Sequence, residues 1–306
     1  MKRKDILGIK DLSRSEITEI LQTGNGMRDC IDAKERRTYL SGKNVATLFY
    51  ENSTRTRNSF EIAAKTLGAA TTSISVATSS VQKGESLVDT GKTLDSLGVD
   101  VMVIRHPVGG APRLLADNVK ASVVNAGDGM NEHPSQALLD ALTAQRHFGD
   151  IAGLKIVIVG DIKHSRVARS DSLVFTKLGA SVTVCGPYTL MPDGMDSFGA
   201  KVETDLDKAL DGANIVMPLR LQLERMNQGY LSTIEEYHRC YGVNMKRLDY
   251  AADDAVVMHP APINRGAEIS GEVADSDRSL IQEQVKNGVA VRMAMLYLLM
   301  QKGVAL

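Results

Sequence analysis

The sequence predicts an α/β protein of two tandem domains, each a parallel sheet flanked by helices. Short β-branched runs alternate with segments of helical period along most of the 306 residues. The runs read as buried strands, and buried strands separated by helices imply parallel sheets. A turn-rich break, GDIAG at 149–153, splits the alternation into two series and is the expected domain boundary.

In the first series VATLF (45–49) reads as a strand, and SFEIAAKTLG (59–68) as an amphipathic helix ending at a glycine cap. TTSISV, VDVMVIR and ASVVNAG are further strands, with a helical pattern in SLVDTGKTLDSLG between the first two. PSQALLDALTAQRHF (134–148) opens with proline at a helix start and spaces its leucines helically. In the second series KIVIVG, SVTVCG, NIVMPL and AVVMHP read as strands, and RVARSDSLVFTKLG as a helix. A long helix is expected from Ser279 to Met300.

Composition excludes several classes of function. A formal net charge of −1 argues against a nucleic-acid binder that relies on a broad basic surface. The absence of tryptophan weakens any base-stacking role. MKRKDILGIKDLSRSEI has no long apolar core, so no secretory leader is expected. VAVRMAMLYLLM is too short to span a bilayer and is interrupted by Arg292. Cys30, Cys185 and Cys240 lie far apart, as reduced thiols of a cytoplasmic protein do.

Ligands of open parallel sheets sit beyond the carboxyl ends of the strands. The polar clusters fall there: STRTR after VATLF, Arg105-His106 after VDVMVI, and Asn131-Glu132-His133 after VVNAG. Asp161 to Arg166 follow KIVIVG, Arg220 and Gln222 follow NIVMPL, and His259-Pro260 follow AVVM. A cleft between the domains, lined from both sides, is the economical arrangement. GKT at 91–93 is no P-loop, because Ser86 stands where that motif needs glycine. NAGDGMNEH lacks the spacing of a dinucleotide fingerprint.

Ser53-Thr54-Arg55-Thr56-Arg57 carries more chemistry. A helix N-terminus, hydroxyl donors and a bidentate guanidinium together suit a phosphate. Ser53 as a plain N-cap with solvated arginines is the competing reading. His133, just before a helix-opening proline, is either a structural cap or a reacting group, and Gln136 lies one turn further on. Lys83 reads as a solvated loop charge, Arg166 as part of a basic helix face, and Arg220 as surface. No metal-ligand cluster and no Ser-His-Asp or Cys-His set emerges.

ENSTRTR, SSVQKGE, VIRHP, NEHPSQALLD, GDIKHSRVARS, PLRLQLER and HPAPINRGAEI resemble, in this order, the motifs of aspartate carbamoyltransferase catalytic chains. STRTR with HPSQ is similar to the carbamoyl phosphate signature of the wider carbamoyltransferase family. Ornithine enzymes typically carry HCLP and an SMG-type loop, where this chain has HPAP at 259–262 and RLQLER. HPSQ replaces the more usual HPTQ and keeps a hydroxyl. Ala261 stands where some relatives have leucine.

The resemblance implies a domain for carbamoyl phosphate at 1–148, with 287–306 packing back on it, and a domain for aspartate at 149–286. Ser53, Thr54, Arg55, Thr56 and Arg105 would hold carbamoyl phosphate. Thr56, Arg105 and His133 would polarise its carbonyl, while Gln136 and the carbonyls of Pro260 and Ala261 orient the carbamoyl NH₂ or incoming amine. Arg166, Arg220 and Gln222 would take the aspartate carboxylates. Ser79 and Lys83 would arrive from a neighbouring subunit of a homotrimer, Lys83 reaching both substrates. Domain closure would exclude water. The expected substrates are carbamoyl phosphate and L-aspartate, with no nucleic acid and no membrane. The resemblance also implies that neither metal nor organic cofactor is needed. An ornithine-specific enzyme and a non-catalytic anion sensor on the same scaffold are the alternatives. Regulatory chains and association with a dihydroorotase are not written in these residues.

Overall fold

A computed structural model describes Met1 and residues 3–75, 84–221 and 233–301. The chain has two compact units, one of Met1–Leu142 with Lys286–Leu306 and a second of Thr143–Val285.

Unit 1 opens with α1 (Arg14–Asp32), which the sequence reading did not single out. Its start is a capping box: Ser13 accepts from the Glu16 N–H, and the Glu16 carboxylate reaches back to the Ser13 N–H. A hydrogen bond from Arg3 is the main reason the Glu16 carboxyl falls to about 2. Then follow β1 (Asn44–Phe49), α2 (Thr54–Thr66), β2 (Ala70–Ser75) and α3 (Leu87–Ser96). β3 (Val101–His106), α4 (Ala111–Ala116), β4 (Ser122–Asp128) and α5 (Pro134–Phe148) complete the series. The described strands pair in parallel in the order β2-β1-β3-β4. α2 starts five residues earlier than periodicity alone predicts, so it takes in Thr54 to Asn58 as helix. GKT lies inside α3, whose Ser86 is an N-cap.

In unit 2, β5 (Lys155–Val159), α6 (Arg166–Leu178), β6 (Ser181–Cys185), β7 (Ala200–Glu203) and α7 (Leu206–Leu210) come first. β8 (Ile215–Pro218), α8 (Ile234–Tyr241), α9 (Met245–Leu248), β9 (Val256–Val257) and α10 (Gly271–Ala274) follow. The described strands pair in parallel in the order β7-β6-β5-β8-β9. Val157, Val159, Val216 and Val257 fill a core with Leu206, Leu210 and Leu248. Cys185 lies in it, and burial pushes its thiol up to about 12. All three cysteines are free.

α11 (Ile281–Met300) leaves unit 2 and finishes unit 1. Its residues from Ala290 to Leu299 are buried almost throughout, as an apolar helix inside a core must be. Arg28 Nη1 donates to Asn287 Oδ1 at 2.5 Å, and Arg292 Nη1 donates to Ser59 Oγ at 3.1 Å. Arg292 also lies over the Phe60 ring, 5.1 Å from its centroid. Burial lowers its guanidinium to about 10, with Asp140 opposing. The return of the last helix to the first domain is therefore realised. No helix among the described residues is long and apolar enough to cross a membrane.

Two helical glycines give opposite expectations. A Cβ on Gly26 of α1 meets nothing within 4 Å, whereas one on Gly91 of α3 would press into Leu115 and lie 3.0 Å from Val119. Gly26→Ala should therefore gain about 1 kcal/mol of stability from helix propensity. Gly91→Ala should lose about 1–2 kcal/mol net, because overpacking against fully buried Leu115 exceeds that gain. Urea unfolding midpoints of the two variants would move in opposite directions; a shared upward shift would show that Leu115 gives way freely.

Candidate active site

Both sheets have a point where the winding direction reverses. In unit 1 it lies between β1 and β3, and in unit 2 between β5 and β8. There the following loops turn to opposite faces and leave a crevice at the carboxyl ends of the strands. Ser53 to Thr56 follow β1 and Arg105 ends β3, so the first reversal brings together residues half a hundred positions apart. Asp161 to Arg166 follow β5 and Arg220 follows β8 at the second.

At the first reversal, Ser53 is the N-cap of α2 but makes no capping side-chain bond. Ser13, Ser86, Ser165, Thr233 and Ser270 all do so on their own helices. Ser53 thus holds the N-cap position with its hydroxyl not used on the helix N–H groups. An α-helix leaves its first N–H groups without intrahelical acceptors. The first turn of α2 contains no acidic side chain, so Thr54, Arg55 and Thr56 surround those groups with donors and positive charge only. Thr56 is 8% exposed, whereas Thr54 and Arg55 are open to solvent. Arg105 Nε donates to Glu51 Oε2 at 3.2 Å, which holds the guanidinium at the end of β3.

His133 lies between β4 and α5 and is 4% exposed. Its carbonyl accepts the N–H groups of Gln136 and Ala137 at 3.0 and 3.2 Å, so it does cap α5 through its backbone. Its ring Nδ1 is 3.4 Å from Ser135 Oγ. The loop before it is built by two buried residues that the sequence reading passed over. Asp128 accepts from the N–H of Gly110 at 2.8 Å, the Asn125 amide at 2.8 Å, the Asn131 amide at 3.0 Å and the N–H of Glu132 at 3.2 Å. Asn125 in turn donates to the Leu7 carbonyl and accepts from the Gly127 N–H. Gln136 Nε2 donates to both oxygens of Asp140 at 3.1 Å, which turns the amide so that Oε1 is its acceptor end.

At the second reversal, Asp161 is fully buried and accepts both the His164 N–H, at 3.1 Å, and ring Nδ1, at 2.9 Å. This closes the turn that leads into α6. Ser165 caps α6 through the Ala168 N–H, and Arg166, its first residue, is 6% exposed rather than on a solvated face. Arg169 donates to the Lys163 carbonyl, and burial lowers its guanidinium while Asp161 opposes the shift. Arg220 is half-buried. Pro260 and Ala261, also half-buried, follow β9; Ala261 has φ +53 and precedes a cis peptide to Pro262. Ser79, Lys83 and Gln222 lie outside the described residues. Among the described residues no group of three or more His, Cys, Asp or Glu could hold a metal ion.

Residues 4–146 match a family model described as aspartate/ornithine carbamoyltransferase, carbamoyl-P binding domain. Residues 152–299 match the model for the Asp/Orn binding domain of the same family. The chain is 54% identical over 305 residues to the aspartate carbamoyltransferase catalytic subunit of Ruminiclostridium cellulolyticum, covering 99% of this chain and 97% of that one. It is 56% identical over 303 residues to that of Acetivibrio thermocellus, with the same coverage. Aspartate transcarbamoylase from Trypanosoma cruzi, solved in complex with N-(phosphonacetyl)-L-aspartic acid, is similar with a TM-score of 0.87 at 31% identity, covering 96% of this chain and 94% of that one. Ornithine carbamoyltransferase from Thermus thermophilus is similar with a TM-score of 0.88 at 26% identity, covering 98% and 100%. Backbone likeness is shared between the two substrate branches.

Asp128→Ala strands the buried donors of Asn125 and Glu132 together and frees the Gly110 N–H. It should cost about 3 kcal/mol of stability, since each buried donor left unpaired costs roughly 1–3 kcal/mol. Urea denaturation reads this directly. An unchanged midpoint would show that Asn131 and water replace the carboxylate.

Proposed function

The chain belongs to the aspartate/ornithine carbamoyltransferase family, and we propose that it works on the aspartate side of that family. It transfers the carbamoyl group of carbamoyl phosphate to the amine of L-aspartate, giving N-carbamoyl-L-aspartate and phosphate. The observation that carries this reading is the 54–56% identity, over nearly the whole chain, with aspartate carbamoyltransferase catalytic subunits. The reaction is a step of pyrimidine biosynthesis, and the protein acts in the cytoplasm.

Residues 1–148, with 287–306, form the carbamoyl phosphate-binding domain, and 149–286 the aspartate-binding domain. Ser53, Thr54, Arg55 and Thr56 hold the phosphate on the N-terminus of α2, a reading supported by the missing Ser53 cap and the absence of acid in the first turn. Arg105 reaches both phosphate and carbonyl oxygen. Thr56, Arg105 and His133 stabilise the negative charge that develops on that oxygen as the amine attacks. The C–N bond forms, the C–O bond to phosphate breaks, and phosphate leaves with the proton that the amine gives up. Gln136 Oε1 accepts from the carbamoyl NH₂, an assignment supported by its Asp140-fixed orientation. Pro260 and Ala261 offer carbonyls to the same nitrogen or to the amine. Arg166, Arg220 and Gln222 bind the aspartate carboxylates. Two anionic substrates repel each other, so much of the catalysis is cationic positioning of both.

The chain forms a homotrimer in which Ser79 and Lys83 serve the neighbouring subunit's site, and Lys83 meets both substrates.

With carbamoyl phosphate and a panel of amino acids, the purified protein should form N-carbamoyl-L-aspartate, in the presence of a chelator as well as without it. Preference for ornithine, or loss of activity on chelation, would sink the assignment. Shared sites are tested by two inactive variants. Lys83→Ala and Arg55→Ala homotrimers should each be nearly inactive. Dissociated, mixed equally and reassembled, they should regain roughly a quarter of wild-type activity, because about three-quarters of closed rings are mixed and each has one intact site in three. No recovery, with mixed rings verified by mass, would place Lys83 in its own subunit's site.

A further inference from the structure

The corner after β9 has a feature that transfer chemistry needs and that its local sequence hides. Pro260 and Pro262 have no N–H, so Ala261 supplies the only backbone donor of the three. That N–H donates to His259 Nδ1 at 2.8 Å. The backbone of 260–262 is thereby left with acceptors alone. A corner of carbonyls without a competing donor suits a ligand nitrogen that carries hydrogens, such as a carbamoyl NH₂ or a primary amine.

The His259 ring is tied at one nitrogen: Nδ1 accepts the Ala261 N–H, whereas Nε2 makes no hydrogen bond to any described residue. Its side chain and that of Glu268 are both fully buried, with Nε2 3.3 Å from Glu268 Oε1. Because a backbone N–H can only donate, Nδ1 is the unprotonated nitrogen and Nε2 carries the hydrogen that faces Glu268. Glu268 Oε1 also accepts the Asn264 N–H at 2.5 Å, which ties the far side of the turn to the same carboxylate. The His259 N–H donates to Gln284 Oε1 at 2.8 Å, anchoring its backbone to α11. Ala261 sits at φ +53, a left-handed conformation that a residue with a Cβ adopts only at a cost. The bond that its N–H donates to His259, two positions earlier, is a local interaction that offsets this cost.

We propose that His259 is a positioning residue for carbamoyl transfer: it fixes the Ala261 N–H on Nδ1 and so sets the direction of the Pro260 and Ala261 carbonyls. The inference rests on the reading that these two carbonyls face the reacting nitrogen. His259 itself touches no substrate. It acts on the transition state through the turn, while the carboxylate and phosphate contacts lie elsewhere.

The experiment has a spectroscopic arm and a kinetic arm. Histidine-selective ¹⁵N labelling of the wild-type protein should show one ring with Nδ1 unprotonated and Nε2 protonated, assigned to His259 by its loss in His259→Asn. His259→Phe, which removes the acceptor, should lower kcat by about 10²-fold, the usual effect of misplacing a reacting group by an ångström. KM for aspartate and inhibition by inorganic phosphate should change little. His259→Asn, whose side-chain oxygen can accept from the N–H two residues on, should recover most of the lost kcat. The opposite tautomer, or equal loss in both variants, overturns the role of His259 and leaves the carbonyl assignment standing. Unchanged kcat in His259→Phe overturns the positioning role whatever the tautomer. If the Phe variant does not fold, the tautomer and the Asn variant still decide.

Discussion

The reversal of winding in each parallel sheet is the constraint on which the chemistry of this chain depends. Where adjacent strands send their helices to opposite faces, no loop can close over the gap between them. In the first sheet the gap separates β1 from β3, and in the second β5 from β8. Polar side chains placed there approach a ligand without having to be buried in the core that the strands enclose. The sheet fixes their spacing through its register: Phe49 is paired with Arg105, and Val159 with Pro218. Both clusters are therefore set by backbone pairing, with side chains supplied from strand ends, loops and the first turns of the helices that follow.

Behind each cluster stands a buried carboxylate. Asp128 fastens the turn before His133, Asp140 orients Gln136, Asp161 holds His164 near Arg166, and Glu268 faces His259. None of the four carries a role assigned to substrate contact. Each one satisfies donors that a tight polar loop would otherwise leave unpaired, which is costly in a dry environment. A site made of flexible arginines and hydroxyls needs such supports, because its own side chains have many rotamers to lose.

The sequence made the strands and the order of the two sheets' series legible because apolar runs of β-branched residues leave few alternatives. STRTR, Arg105 and His133 stood out because they follow such runs. α1 was missed: its apolar positions share a segment with many charges, and its start is announced by only the short box from Ser13 to Glu16. The beginning of α2 was placed late because Thr54 to Asn58 are polar and add no periodic signal; their helicity comes from the position of Ser53. Asn125, Asp128 and Asp140 were invisible for a different reason. Their partners, such as Leu7 and Gly110, are brought near by tertiary structure, and a lone buried acid looks like a surface acid in a sequence. The near inaccessibility of Arg166 was hidden for the same reason, so a basic helix face and a ligand contact stay equally open on local sequence.

The crossing of α11 into unit 1 has a consequence for how the protein is made. Arg28 and Asn287, which hydrogen-bond, are separated by 259 residues. On a ribosome the first unit emerges with the groove beside α1 still open, and everything in unit 2 must be synthesised before the helix that fills it appears. The second unit is contiguous in sequence and can close on itself as it emerges. The order of birth and the order of completion are thus reversed: the half of the chain that is begun first is finished last. During that interval Arg28 lacks its Asn287 acceptor, and Ser59 and Phe60 lack the Arg292 guanidinium that later lies against them.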